Sequence, residues 1–233
     1  MTMKAARQLL AFVLLLTMLT GCAAPGLRYP GYEDLSFHAG ALEYIGKKRR
    51  DIAEKLGIET QTEPVPLIQV EESVTVAGEA YALSYRFDGN YVGYEWRHDP
   101  TGDDLVLSAI TYQRKLDGED VQTRREAVLT VFQLMQDELG KPEQIADAFE
   151  NKTIDYALNA GFPTTPVSAK WLISEKPDYP KVIYSGGYEG DQTILIAELR
   201  VTALPAVWTL EVSYKISNTR NSEMERFSSR WNW

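Results

Sequence analysis

Between residues 74 and 112 apolar side chains recur at every second position. Val74 and Val76 precede a turn at Ala77-Gly78-Glu79, and Tyr81, Leu83, Tyr85 and Phe87 follow it. Period-two alternation puts such residues on one face of a strand, so the segment predicts a hairpin with one buried side. Asp88-Gly89-Asn90 is a second turn signal, with Val92, Tyr94 and Trp96 continuing the alternation beyond it. After the loop Asp99-Pro100-Thr101-Gly102-Asp103-Asp104, a further strand carries Val106, Ile110 and Tyr112 on one face. From 120 to 139 the period becomes helical: Val121, Val128, Val131, Phe132, Met135 and Leu139 form a stripe closed by Gly140 and Pro142. An earlier helix is predicted around 43 to 56, with Ile45, Ile52, Ala53 and Leu56 on one face and Gly57 as its C-cap. Strands resume at Val167 to Ile173, Val182 to Tyr184, Leu195 to Val201 and Trp208 to Ile216.

Both helical stretches end in Leu-Gly, at Leu56-Gly57 and Leu139-Gly140, and each is followed by strands. The expected fold is therefore α+β, with two helix-plus-antiparallel-meander units and the helices packed on one face of the sheet or sheets. The α+β domain spans 41–216, as one unit or as repeats 41–116 and 117–216. Residues 22–40, with Pro25, Gly26, Pro30 and Gly31, read as a flexible tether. Residues 217–233 form an amphipathic tail in which Met224, Phe227 and Trp231 share helical spacing.

The first 21 residues read as a signal peptide. Lys4 and Arg7 precede an apolar run from Leu9 to Leu19 interrupted by Thr17. A helix of that length covers about 16 Å, roughly half of a bilayer core, so the run is too short to span. Its ending, Leu19-Thr20-Gly21-Cys22, resembles the lipobox of bacterial lipoproteins. The resemblance implies cleavage between Gly21 and Cys22, with diacylglycerol on the Cys22 sulfur and an acyl chain such as palmitate on the new amino terminus. Two or three such chains hold a protein on a membrane durably, where one does not. Cys22 is the chain's single cysteine and has no intramolecular disulfide partner. Ala23 stands where an inner-membrane retention signal shows Asp, which implies the periplasmic face of the outer membrane if the cell is Gram-negative.

Charge narrows the partners. The chain has 24 Lys and Arg against 33 Asp and Glu, and loss of Lys4 and Arg7 with the leader makes it more acidic still. That sign disfavours nucleic acid and broad adhesion to anionic lipid. The one basic run, Lys47-Lys48-Arg49-Arg50, reads either as a solvated helix face pairing with Asp51 and Glu54 or as a contact to lipid headgroups. With two histidines, His38 and His98, catalytic candidates are few, and no catalytic set is assigned beyond the weak pairing of His98 with Asp99. Asp99, Asp103 and Asp104 are calcium candidates, although their spacing is not that of an EF-hand. No zinc spacing, P-loop or dinucleotide fingerprint is present, and no cofactor other than the lipid is expected. Most aromatic residues are expected in the core, among them Tyr85, Trp96, Trp171 and Trp208. Phe227, Trp231 and Trp233 are candidates for engaging a partner.

Leu139-Gly140-Lys141-Pro142, Lys170-Trp171, Thr193-Ile194-Leu195 and Val212-Ser213-Tyr214 together resemble small periplasmic lipoproteins of the SmpA/OmlA-like and beta-lactamase-inhibitor-like kind. The resemblance implies an α+β fold that acts by binding proteins, and no functional residue is carried over. The expected function is a noncatalytic membrane-anchored lipoprotein of the cell envelope, with an envelope protein as partner in an assembly or accessory role. Two alternatives stand beside it: a module binding a ligand, glycan or enzyme, and a hydrolase with an unrecognised site.

Overall fold

The computed structural model describes residues 35–37, 42–59, 67–88, 102–150, 154–159, 167–175, 193–204 and 207–218. A 3-10 turn at Leu42–Tyr44 leads into α1, Arg49–Leu56. Gly57 closes this helix at φ 64°, and its N–H meets the carbonyls of Ala53 and Glu54. Glycine takes this left-handed conformation at little steric cost, which explains the stop. Strands β1 (Leu67–Val76) and β2 (Glu79–Asp88) follow as a hairpin. After a 3-10 turn at Gly102–Asp104 comes β3, Val106–Lys115. The long helix α2, Val121–Leu139, starts at Asp120, whose carboxylate accepts from the Thr123 N–H over 2.8 Å and so caps a free helix donor. Short β4 (Gln144–Ile145), α3 (Asp147–Glu150) and α4 (Ile154–Asn159) precede β5 (Val167–Glu175), β6 (Thr193–Leu204) and β7 (Val207–Asn218).

All seven strands among the described residues belong to one antiparallel sheet in the order β1-β2-β3-β7-β6-β5-β4. This corrects the expectation of two helix-plus-meander units. β3 and β7 pair from Ala109↔Lys215 to Lys115↔Thr209, so strands from both halves share one ladder. Hydrophobic alternation shows which face of a strand is buried but not which strand lies beside it. Joining β3 to β7 buries two edges that separate units would expose, satisfying their backbone groups.

One face of the sheet holds the core. Tyr81, Leu83, Tyr85 and Phe87 line up with Ile110 and Tyr112, then with Leu210, Val212, Tyr214 and Ile216, and across to Leu199 and Trp171, all buried in one cluster. Every described helix reaches this same face. Arg49 of α1 lies over the Phe87 ring, with 5.4 Å to the centroid. Phe132 of α2 meets Trp171 at 6.0 Å and stacks on Phe149 of α3 at 4.5 Å. The Trp171 indole N–H donates to the Gly140 carbonyl over 2.8 Å, tying the end of α2 to β5. Arg124 and Arg125 of α2 hold α4, through the Leu158 carbonyl and Asp155 respectively.

Part of the stretch read as tether is core. Leu35 is 4% exposed and Phe37 fully buried, and Phe37 meets the rings of both Tyr81 and Tyr112 edge-on.

The pairing also sorts the two rims of the sheet. Asp88 lies opposite Val106, Glu175 opposite Ile194, and Thr193 opposite Asn218. The chain therefore leaves β2, β5 and β7, and enters β3 and β6, at one rim.

Candidate functional site

Several predicted site residues lie outside the described residues: Gly21, Cys22, His38, His98, Asp99, Phe227, Trp231 and Trp233, together with the strand positions Val92 to Trp96 and Val182 to Tyr184. No helix among the described residues is long and apolar enough to cross a membrane.

Asp103 and Asp104 sit on the 3-10 turn before β3 and face the basic run. The Asp104 carboxylate lies 3.4 Å from Lys48 Nζ and 3.2 Å from Arg50 Nη1. Two cations on one carboxylate neutralise the charge that a calcium ion would need. Among the described residues no group of three or more His, Cys, Asp or Glu side chains is placed to hold a metal.

Within the basic run the four residues part company. Lys47 lies over the Tyr44 ring at 5.2 Å, while Lys48 and Arg50 take Asp104, and Arg50 also approaches Asp51 at 3.9 Å. Arg49 is 1% exposed. Its Nη2 donates to the Glu59 carbonyl over 2.6 Å, whereas Nε and Nη1 have no hydrogen-bond partner. Burial lowers its affinity for a proton, with Asp103 acting the other way. The spacing from Ile45 through Arg49 and Ile52 to Leu56 follows the apolar stripe, so the signal for a buried arginine was in the periodicity.

A second polar group, half-buried, lies between α2 and the sheet. Glu138, three residues after Met135 on the same stripe, accepts from the backbone N–H of Ser36 over 2.9 Å and from its hydroxyl. Its other oxygen and the Tyr214 hydroxyl are buried without a hydrogen-bond partner. Burial raises the Tyr214 phenol well above its usual range, and neighbouring Tyr112 and Glu138 add to the effect.

The face of the sheet turned away from the helices carries a third group. Lys170, Glu198 and Ser213 lie abreast on β5, β6 and β7. The Glu198 carboxylate is almost fully buried and is held by Lys215 Nζ and, at 3.8 Å, by Lys170 Nζ. Gln113 donates to Glu211 over 3.0 Å further along this face.

At the sheet margin, β1 runs for ten residues with β2 as its one neighbour among the described strands. Its register slips between Gln69 and Ser73, where three residues face Leu83 alone. The opposite margin, β4, has two residues.

No protein-family profile matches the chain, and neither the curated proteins nor the solved structures yield a match. The functional reading therefore rests on the residues themselves.

Proposed function

We propose that this chain is a lipid-anchored envelope protein whose folded domain carries out no chemistry and binds another protein in an assembly or accessory role, as its resemblance to periplasmic SmpA/OmlA-like lipoproteins implies. The anchor rests on Leu19-Thr20-Gly21-Cys22. Binding rests on one observation, the long β1 margin. The outer main-chain N–H and C=O groups of such a strand offer a ladder to an extended segment of a partner. A register slip in the middle interrupts that ladder, so a random strand fits poorly and a matched one fits well. The alternative of a glycan or ligand module needs exposed rings side by side. Tyr156 is the one exposed large aromatic among the described residues.

Two measurements test the reading. Mass spectrometry of the processed protein is expected to find lipid on Cys22, and Cys22→Ala is expected to release the protein from membranes. A photo-crosslinker at exposed Thr75 on β1 is expected to capture one envelope protein stoichiometrically in intact cells. A bare thiol at residue 22 removes the anchor, and the absence of an adduct at native expression removes the partner.

A further inference from the structure

Along β3 and β6 the helix-free face of the sheet is buried towards one rim and open towards the other. Along β6, Ile194, Ile196 and Glu198 are 6%, 5% and 6% exposed, while Arg200 on the same face is exposed. On β3 the same gradient runs from buried Ala109 to exposed Gln113, while on β7 Ser213 is buried between half-open Lys215 and Glu211. The described helices all lie on the opposite face, so none of them accounts for this burial. Ile194, Ile196 and half-buried Leu172 form the apolar part of the patch, with Leu172 beside Ile196.

The buried rim is the one at which β7 releases the chain. Ser217, the penultimate residue of β7, lies opposite Ile194. Fifteen residues follow, 219–233, carrying Met224, Phe227 and Trp231 at helical spacing. A helix from 224 to 231 is about 12 Å long, enough to cross two or three strands, and residues 219–223 suffice to turn it back onto the sheet. Its arginines, Arg220, Arg226 and Arg230, and its acids, Glu223 and Glu225, match a patch that mixes Glu198 with Lys170 and Lys215. β7 pairs directly with β6, the strand that carries Ile194 and Ile196, so a tail leaving it starts beside the patch.

We infer that the C-terminal segment 219–233 folds back over the outer face of the sheet and covers Leu172, Ile194 and Ile196 with Phe227 and Trp231. The tail is then part of the domain, and the patch is closed to external partners. This inference is independent of both lipidation and the β1 reading.

Phe227→p-benzoylphenylalanine in the full chain tests it, with irradiation followed by peptide mapping. Bonds from residue 227 to Leu172, Ile194 or Ile196 are the expected result. Attachment to the helical face, to the 89–101 or 176–192 connections, or to another protein overturns the inference, as does failure to cross-link within the chain. A chain ending at Asn218 supplies a second reading. It is expected to melt about 5 °C lower or more and to bind a hydrophobic dye that the full chain does not. Unchanged melting and dye binding in the shortened chain also overturn it.

Discussion

The ring of Phe37 stands edge-on to that of Tyr81, with centroids 5.2 Å apart and planes at 85°. Tyr112 flanks it on the adjacent strand, at 5.3 Å. Such edge-to-face pairs add to the apolar burial of a ring. Phe37→Ala is expected to cost about 3–5 kcal/mol, as for a phenylalanine removed from a packed core. Urea unfolding of a chain lacking the leader measures this. A loss within experimental error would mean that residue 37 belongs to the tether after all.

Ala77 occupies the hairpin between β1 and β2 at φ 52°, followed by Gly78 at φ 83°. Positive φ at both central positions defines a turn that favours Asn-Gly, and alanine is disfavoured there by its Cβ. Ala77→Asn is expected to stabilise the domain by about 0.5–1 kcal/mol, raising Tm by a few degrees. A lower Tm would contradict the turn geometry.

Tyr214 makes two linked predictions. Its hydroxyl is buried with no acceptor or donor, so Tyr214→Phe removes a desolvated polar atom and is expected to leave stability unchanged or raise it by about 1 kcal/mol. The folded phenol also holds its proton above the ordinary value of 10.0. The folded state thus binds more proton than the unfolded state in alkali, and stability falls as pH rises. This contribution is fully present below pH 10.0 and is lost as pH climbs towards the folded value. Tyr81 and Tyr85 act in the same direction through burial. Denaturant titrations between neutral pH and about pH 11 should show a steep alkaline decline, which Tyr214→Phe makes shallower.

Arg49 separates charge from volume. Replacing a buried, incompletely paired cation by an apolar chain of similar length is often neutral or favourable. Arg49→Met is therefore expected to fall within about 1 kcal/mol of the parent or above it, whereas Arg49→Ala leaves a cavity and costs about 2 kcal/mol or more. Equal losses in the two variants would show that the guanidinium itself is needed.

On the outer face, the pairing of Glu198 with Lys215 is open to a double-mutant cycle. Lys215 keeps about a third of its side chain in water, so the coupling is screened. A cycle with Glu198→Gln and Lys215→Gln is expected to give about 0.5–1 kcal/mol, decreasing in high salt. A coupling of zero would leave the burial of Glu198 to the patch around it.

What the residues foretold, and what they did not, divides along physical lines. Local signals carried well. The α2 stripe from Val121 to Leu139, the stop at Gly57, the turn at Ala77-Gly78 and the buried alternation from Tyr81 to Phe87 all depend on neighbours within a few positions. Tyr85, Trp171 and Trp208 are buried as expected, and Trp96 lies outside the described residues. The first helix is shorter than its apolar pattern, because Gly46 adopts φ 88° and its N–H turns to the Leu107 carbonyl. Sheet order was not legible, since the β3–β7 contact joins residues about a hundred positions apart and leaves no periodic trace. Arg49 and Glu138 are charges at apolar-stripe positions, and hydrophobic periodicity alone does not mark them. Glu198 gave less warning, because an acid between Ile196 and Arg200 also fits a solvated strand face.

The anchoring of Phe37 bounds the working radius of the molecule. If Cys22 carries the proposed lipid, at most twelve residues separate it from buried Leu35, and even a taut chain of that length reaches about 40 Å. Under that proposal a docking protein has to come to the bilayer surface itself, and lengthening the leash at residue 30 by a dozen glycines and serines is expected to enlarge the set of proteins within range.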